Sequence, residues 1–153
     1  APFFYPAEGT EGAGISPENP AISAAYPYPV LMTYADQDPK LVTAVMTAMV
    51  DTYDTYKEAA PGNMGWGMDR QKLDWVIPYH DGAIAFFKQK GVWTDAHQKN
   101  NDMLIKRQQI LAEAWKEVKG RSHADEQAFA QDWMKTRADA LTKAGMDPVM
   151  TSW

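Results

Sequence analysis

Between Trp75 and Trp93 the chain writes both ends of a helix into its own residues. An apolar run, Trp75 to Ile77, stops at Pro78, and the polar cluster Tyr79, His80, Asp81 and Gly82 follows. Ala83, Ile84, Phe86 and Phe87 then make an apolar, aromatic turn. Lys88 and Lys90 sit where cations suit the carbonyl end of the helix dipole, and Gly91 supplies a left-handed stop. Val92 and Trp93 restart apolar contact. His80 has two readings at the entry of this helix. Beside Tyr79 and Asp81 it could bind a carboxylate or act as a base; alternatively it holds the Pro78 turn through hydrogen bonds to main chain.

Upstream lies the clearest periodic segment. Asp38 can cap a helix and Pro39 suits its first turn, where a missing N–H costs nothing. Leu41, Val45, Met49 and Tyr53 repeat at four, with Val42, Met46 and Val50 in the neighbouring column. The pattern predicts one helix from Lys40 to about Glu58 with a wide apolar stripe turned to the core, ended by Pro61 and Gly62. Asn63 to Asp69 reads as a flexible, exposed turn holding Trp66 between glycines, either packed on its own domain or touching a ligand or partner. Asp69 to Trp75 reads as a short helix. Residues 1–25, punctuated by Gly9, Gly12, Gly14, Pro17 and Pro20, read as an irregular arm that is a surface loop, lines a site or wraps a partner. From Tyr26 to Ala35 prolines alternate with aromatics; Pro27 and Pro29 confine the start to an edge or crossover, and Val30 to Tyr34 reads as a buried strand.

After Trp93 the composition changes. Thr94 caps a long helix from Asp95 to Lys119, with Leu104, Ile105, Leu111, Ala112, Trp115 and Val118 as its apolar column. Ser122 to Asp125 resembles a capping box, and a second helix carrying Phe129, Trp133, Ala140 and Leu141 runs to about Ala144. The two form an antiparallel hairpin, a packing or docking device, with His97 and His123 solvated near helix starts. Residues 94–153 hold nine basic and nine acidic side chains, whereas residues 1–93 hold six and eleven, so the whole net charge of −5 lies in the first part. Fourteen of the eighteen aromatics lie there too, which places a domain boundary at 93/94.

Composition excludes several functions. A net charge of −5 without a basic face argues against a nucleic-acid partner. Zero cysteines remove disulfides, thiol catalysis and thiolate metal sites together. No apolar run is long enough to span a bilayer, and Ala1 to Pro6 is no intact signal peptide, so a mature or cut end is the simpler reading. No Gly-x-Ser-x-Gly, phosphate-cradling Gly-Lys-Ser/Thr or His-Glu-x-x-His motif occurs, and no His or Glu stands beside His80 at metal-ligand spacing. The chain reads as a non-enzyme without cofactor or metal.

The segment Ile77, Pro78, His80, Gly82, Ala83, Phe86, Phe87 and Gly91 resembles the C-terminal signature of the TAXI family, the solute-binding receptors of tripartite TRAP transporters. Tyr26 to Ala35 and the helix after it look like the strand-then-helix that precedes that signature, and the likeness covers roughly residues 1–93. It implies an α/β fold: part of a periplasmic-binding-protein-like lobe (residues 1–93, few strands, several helices) carrying an appended helical hairpin (94–153). It also implies a periplasmic receptor half that binds a small organic anion, such as a dicarboxylate or amino acid. Its partners would be membrane permease subunits, or another chain supplying the missing lobe. Ligand-contacting candidates are Tyr26, Tyr28 and Trp66; Pro78, His80, Gly82 and Gly91 belong to the structural motif. The alternative is a receptor-derived subunit that has lost transport and docks onto a larger assembly.

Overall fold

A computed structural model describes residues 3–10, 12–27, 30–60 and 62–151. Two strands open it, β1 (Tyr5–Gly9) and β2 (Ala21–Ala25), antiparallel with Tyr5 opposite Ala25 and Gly9 opposite Ala21. Sequence reading makes residues 1–25 irregular, and here the structure corrects it. Neither Tyr-Pro-Ala-Glu-Gly nor Ala-Ile-Ser-Ala-Ala is rich in strand formers; the ladder comes from pairing across a long, turn-rich loop. Within that loop Ser16 and Asn19 exchange both backbone hydrogen bonds (3.2 and 3.0 Å) around Pro17 and Glu18. Such a turn favours Pro at its second position. A lone two-stranded ribbon is marginal in water. This one is tied down: the Trp75 indole N–H donates to Phe3 O (3.0 Å), and Lys72 Nζ lies 5.1 Å from the Tyr5 ring centre.

The second correction concerns Val30–Tyr34, which forms no strand. Leu31, Met32 and Tyr34 are 58%, 75% and 82% exposed. An apolar run becomes a strand only when a neighbouring strand accepts its backbone bonds, and the two strands among the described residues pair with each other. The segment ends in a turn, Gln37 N–H to Tyr34 O (3.2 Å), that leads into α1 (Pro39–Asp51).

α1 starts as its residues demand, with Asp38 Oδ1 accepting from Lys40 N–H (2.9 Å) and Pro39 in the first turn. It stops at Thr52, short of Glu58, and α2 (Tyr53–Tyr56) follows as a separate turn. Thr43, Thr47 and Thr52 each donate a hydroxyl to the carbonyl four residues back, a habit that loosens helices. Only one of the two apolar columns faces the core: Val42, Met46 and Val50 pack on it, while Leu41 and Val45 stay exposed.

The core they reach belongs to α3 (Asp81–Gln89): Ala83, Phe86 and Phe87, with Leu73, flanked by Met68, Tyr79 and Trp93. His80 caps α3, its Nδ1 accepting from Gly82 N–H (3.0 Å). At the other end Gly91 sits at φ 72, its N–H bonding to Lys88 O (3.0 Å) and Val92 N–H to Phe87 O (3.1 Å). That is the Schellman arrangement, and it needs the positive φ that glycine adopts freely. Residues 69–75 are not the short helix that sequence reading expects; a 3-10 turn, Met68–Arg70, gives way to irregular chain.

α4 (Asp95–Lys119) begins with a reciprocal cap. Thr94 Oγ1 accepts from His97 N–H (3.2 Å) and His97 Nδ1 accepts from Thr94 N–H (3.1 Å), so His97 does the work of the usual Glu or Gln. α5 (Glu126–Lys143) is capped by Asp125, which accepts from Ala128 N–H (2.8 Å), rather than by Ser122. Trp115 meets Trp133 and Phe129, while Arg107 reaches Asp147, so the contacts run in opposite senses along the two helices.

The chain is therefore a mixed helix-and-sheet fold, with one two-stranded sheet and five helices among the described residues. It divides into two compact units, Ala1–Gln98 and Lys99–Trp153, five residues later than the composition break at 93/94. The shift has a local cause. Trp93 holds the start of α4 to the first unit through its ring contact with His97 (5.6 Å) and its N–H bond to Gln98 Oε1 (3.1 Å).

Candidate functional site

The sequence nominates Tyr26, Tyr28 and Trp66 for ligand contact. Tyr28 lies outside the described residues. Tyr26, half exposed, sets its ring edge-on to Phe4 at 5.8 Å, at the foot of the β1–β2 ribbon. Trp66 closes a 3-10 turn, Asn63–Trp66, and is half-buried. That turn is pinned rather than loose: Tyr53 OH donates to Met64 O (3.0 Å), Asn63 Nδ2 to Tyr56 O (2.8 Å) and Gln71 Nε2 to Gly67 O (2.9 Å). Gly67 is buried, and a Cβ there would lie 2.6 Å from Asp69 Oδ1 and 3.0 Å from Tyr53 OH. Tyr26 and Trp66 are thus held by separate neighbours, one by the ribbon and one by the end of α2.

The signature residues act on backbone. Because His80 Nδ1 accepts a main-chain bond, the ring proton of the neutral imidazole belongs on Nε2. Gly82 is buried at the closest approach of α1 and α3, where Thr43 Oγ1 donates to its carbonyl (2.9 Å). Tyr79 stands edge-on to both Phe87 (5.6 Å) and Trp93 (5.5 Å) and donates to Lys72 O (3.1 Å). Burial, followed by the nearby Asp74 charge, pushes its phenol above the ordinary tyrosine pKa, so it stays protonated and serves as a donor. Among the described residues no group of three or more His, Asp or Glu side chains is placed to hold a metal ion. No helix among them is long and apolar enough to cross a membrane.

What sequence reading misjudged is the connector and the second unit. Val30, Leu31, Met32 and Tyr34 present apolar side chains to solvent, and Leu41 and Val45 add to them on α1. In the second unit His123 is not solvated: its side chain is 14% exposed, its Nε2 lies 2.9 Å from Asp132 Oδ2, and its ring meets Phe129 edge-on. The partner stands nine residues away, on a helix face that periodicity does not link to a residue in the preceding loop.

Asp132 anchors that turn. It takes a bond from His123, a second from Arg121 Nη1 (2.6 Å) and a third from Thr136 Oγ1 (3.2 Å), and Arg121 also reaches Glu117. The His123 hydrogen bond first and the Arg121 bond second hold its carboxyl down to about 2. A carboxyl held below its unfolded-state value stabilises the fold at pH above that value and loses the contribution as pH falls through the folded one. The loop between α4 and α5 should therefore loosen between about pH 4 and pH 2. Circular dichroism of the wild type against Asp132→Asn checks it: the variant should be weakened at pH 6 and lack the steepest part of that acid limb. Equal acid limbs in the two proteins would remove Asp132 from the account.

Compared with protein-family models, curated proteins and solved structures, the chain finds no match.

Proposed function

We propose that residues 1–93 are the C-terminal half of a two-lobed solute receptor of the TAXI type. In this reading Val30–Tyr34, irregular here, would become a strand on pairing with the other lobe, and a small organic anion would bind where the lobes close. The observation that carries it is the exposed run Val30, Leu31, Met32 and Tyr34, whose sequence is that of a buried strand. Burying apolar side chains of this size contributes about 1.5–3 kcal/mol each, so a partner sheet would gain substantially by covering them. The likeness of residues 77–91 to the TAXI signature supports the same assignment. Cleft closure between lobes would bring aromatic walls and main-chain donors around a carboxylate, with Tyr26 and Trp66 as wall residues. The receptor would work in the periplasm and deliver its cargo to a membrane permease.

A second reading keeps the exposed run and drops the solute: a receptor-derived subunit that docks on a larger assembly. One experiment separates them. Calorimetry with a panel of dicarboxylates and amino acids, run on the intact gene product, is paired with hydrogen exchange over residues 30–34. Binding of a panel member with protected amides at 30–34 supports the receptor. A silent panel with protected amides supports the docking subunit; a silent panel with fast exchange sinks both. The double variant Leu31→Asp, Met32→Asp should abolish the protection and, because both side chains are exposed, change the stability of residues 1–98 by no more than about 0.5 kcal/mol.

A further inference from the structure

Two arginines of the second unit converge on one stretch of backbone. Arg107, on α4, donates from Nη1 to Asp147 O (2.6 Å). Arg137, on α5, donates from Nη2 to Pro148 O (2.6 Å) and from Nη1 to Met150 O. Among the described residues neither guanidinium forms an ion pair with a carboxylate, whereas Arg121 is paired twice. The nearby carboxylate of Asp147 is turned onto its own loop, its Oδ1 accepting from Val149 N–H (2.7 Å). Burial first, and the charge of Arg107 second, press Arg137 below the ordinary arginine value. Guanidinium forks are matched to the paired oxygens of carboxylate and phosphate, where two parallel N–H···O bonds also pair opposite charges, as a neutral carbonyl cannot. Here two forks that feel each other's charge are spent on neutral carbonyls.

The backbone that occupies them is itself under strain. Val149 has φ 67, a left-handed conformation that a β-branched residue adopts only when its surroundings impose it. Gly145 ends α5 just before, with its N–H on Thr142 O (2.9 Å) and Met146 N–H on Leu141 O (2.9 Å), so the chain is directed back along the helix toward the arginines.

We propose that Arg107 and Arg137 form an oxyanion-binding site, which the carbonyls of residues 147–150 occupy as a tethered stand-in. The ligand is a compact anion with two or more oxygens, a phosphate or an organic carboxylate, that neutralises both guanidinium groups and displaces the strained turn. The inference uses only the second unit and stands apart from the receptor reading.

The test uses the full chain at fixed ionic strength. Inorganic phosphate, citrate and chloride are titrated in parallel while the side-chain Nε–H resonances of Arg107 and Arg137 and the amides of 147–150 are followed by NMR. Saturable shifts with phosphate or citrate, but not with chloride, are expected, and the stronger of the two identifies the anion class. Arg137→Gln should weaken the binding at least about tenfold; Arg137→Lys, which keeps the charge and the fold but lacks the fork, should weaken it about threefold or more. Arg121→Gln, remote from the tail contacts, should leave it unchanged. Identical responses to all three salts in the wild type would overturn the proposal, as would undiminished binding in Arg137→Lys together with Arg107→Lys. In either case the arginines are only a latch for the tail.

Discussion

Gly82→Ala should destabilise the first unit by about 3 kcal/mol or more, read as a shift in the urea midpoint at unchanged slope. Two effects oppose each other at this position. Alanine is the better helix residue, and replacing a glycine inside a helix normally gains roughly 0.5–1 kcal/mol. Against that, the added Cβ would stand 2.3 Å from Pro39 O and 2.9 Å from Val42 Cβ. The first obstacle is main chain, so no rotamer change relieves it; α1 and α3 must move apart. Separation would stretch the bond from Thr43 Oγ1 to Gly82 O and lift Val42, Met46 and Val50 from Phe86 and Phe87. The steric term wins because it is felt along the whole contact. Gly91→Ala is the control: nothing lies within 4 Å of a Cβ there, and its cost comes only from φ 72, of the order of 1 kcal/mol. Should Gly82→Ala prove no worse than Gly91→Ala, the close approach of the helices is not what the glycine serves.

That pair of glycines also shows what a sequence can and cannot disclose. Gly91 is legible because a helix stop is a local matter: Lys88, Lys90 and the apolar restart at Val92 and Trp93 stand beside it. The same holds for Asp38 at the start of α1 and for Thr94 at the start of α4. Gly82 is picked out only by the resemblance to the receptor signature, since its packing role depends on Pro39 and Val42, which only the packed helices bring near. The β1–β2 ribbon escaped for a related reason. Its strands carry Pro, Gly, Ala and Ser, and their pairing is decided across a loop whose turn at Ser16–Asn19 is only one of its bends. Val30–Tyr34 fails in the opposite direction. Its residue types specify burial, yet burial requires a surface that the described residues do not provide, so a sound local reading gives the wrong local structure. Of the candidate site, the signature around His80 was readable as a helix entry. The convergence of Arg107 and Arg137 was not, because it joins two helices and a tail across as many as 40 residues.

The other large effect belongs to Phe86→Ala. Phe86 is fully buried, edge-on to Phe87 at 5.6 Å, and the Lys90 ammonium lies 5.5 Å from its ring centre. Removing a buried phenyl ring forfeits its transfer free energy and leaves a cavity, together about 3–5 kcal/mol. The upper part of that range applies when the walls cannot collapse, and here they have little freedom. α3 is fixed at one end by the His80 cap and at the other by the Gly91 turn, and α1 is held against it at Gly82. Small proteins are stable by only about 5–15 kcal/mol, so the loss removes a large share of the stability of the unit. Hydrogen exchange should show it as the largest drop in protection within α1 and α3, with urea unfolding moved to lower concentration. Phe86→Leu, which keeps most of the volume, should cost less than about half as much. Retained protection in α1 and α3 of Phe86→Ala would mean that those helices are held by something other than this ring. The platform from which Val30–Tyr34 is presented would then need a different physical basis.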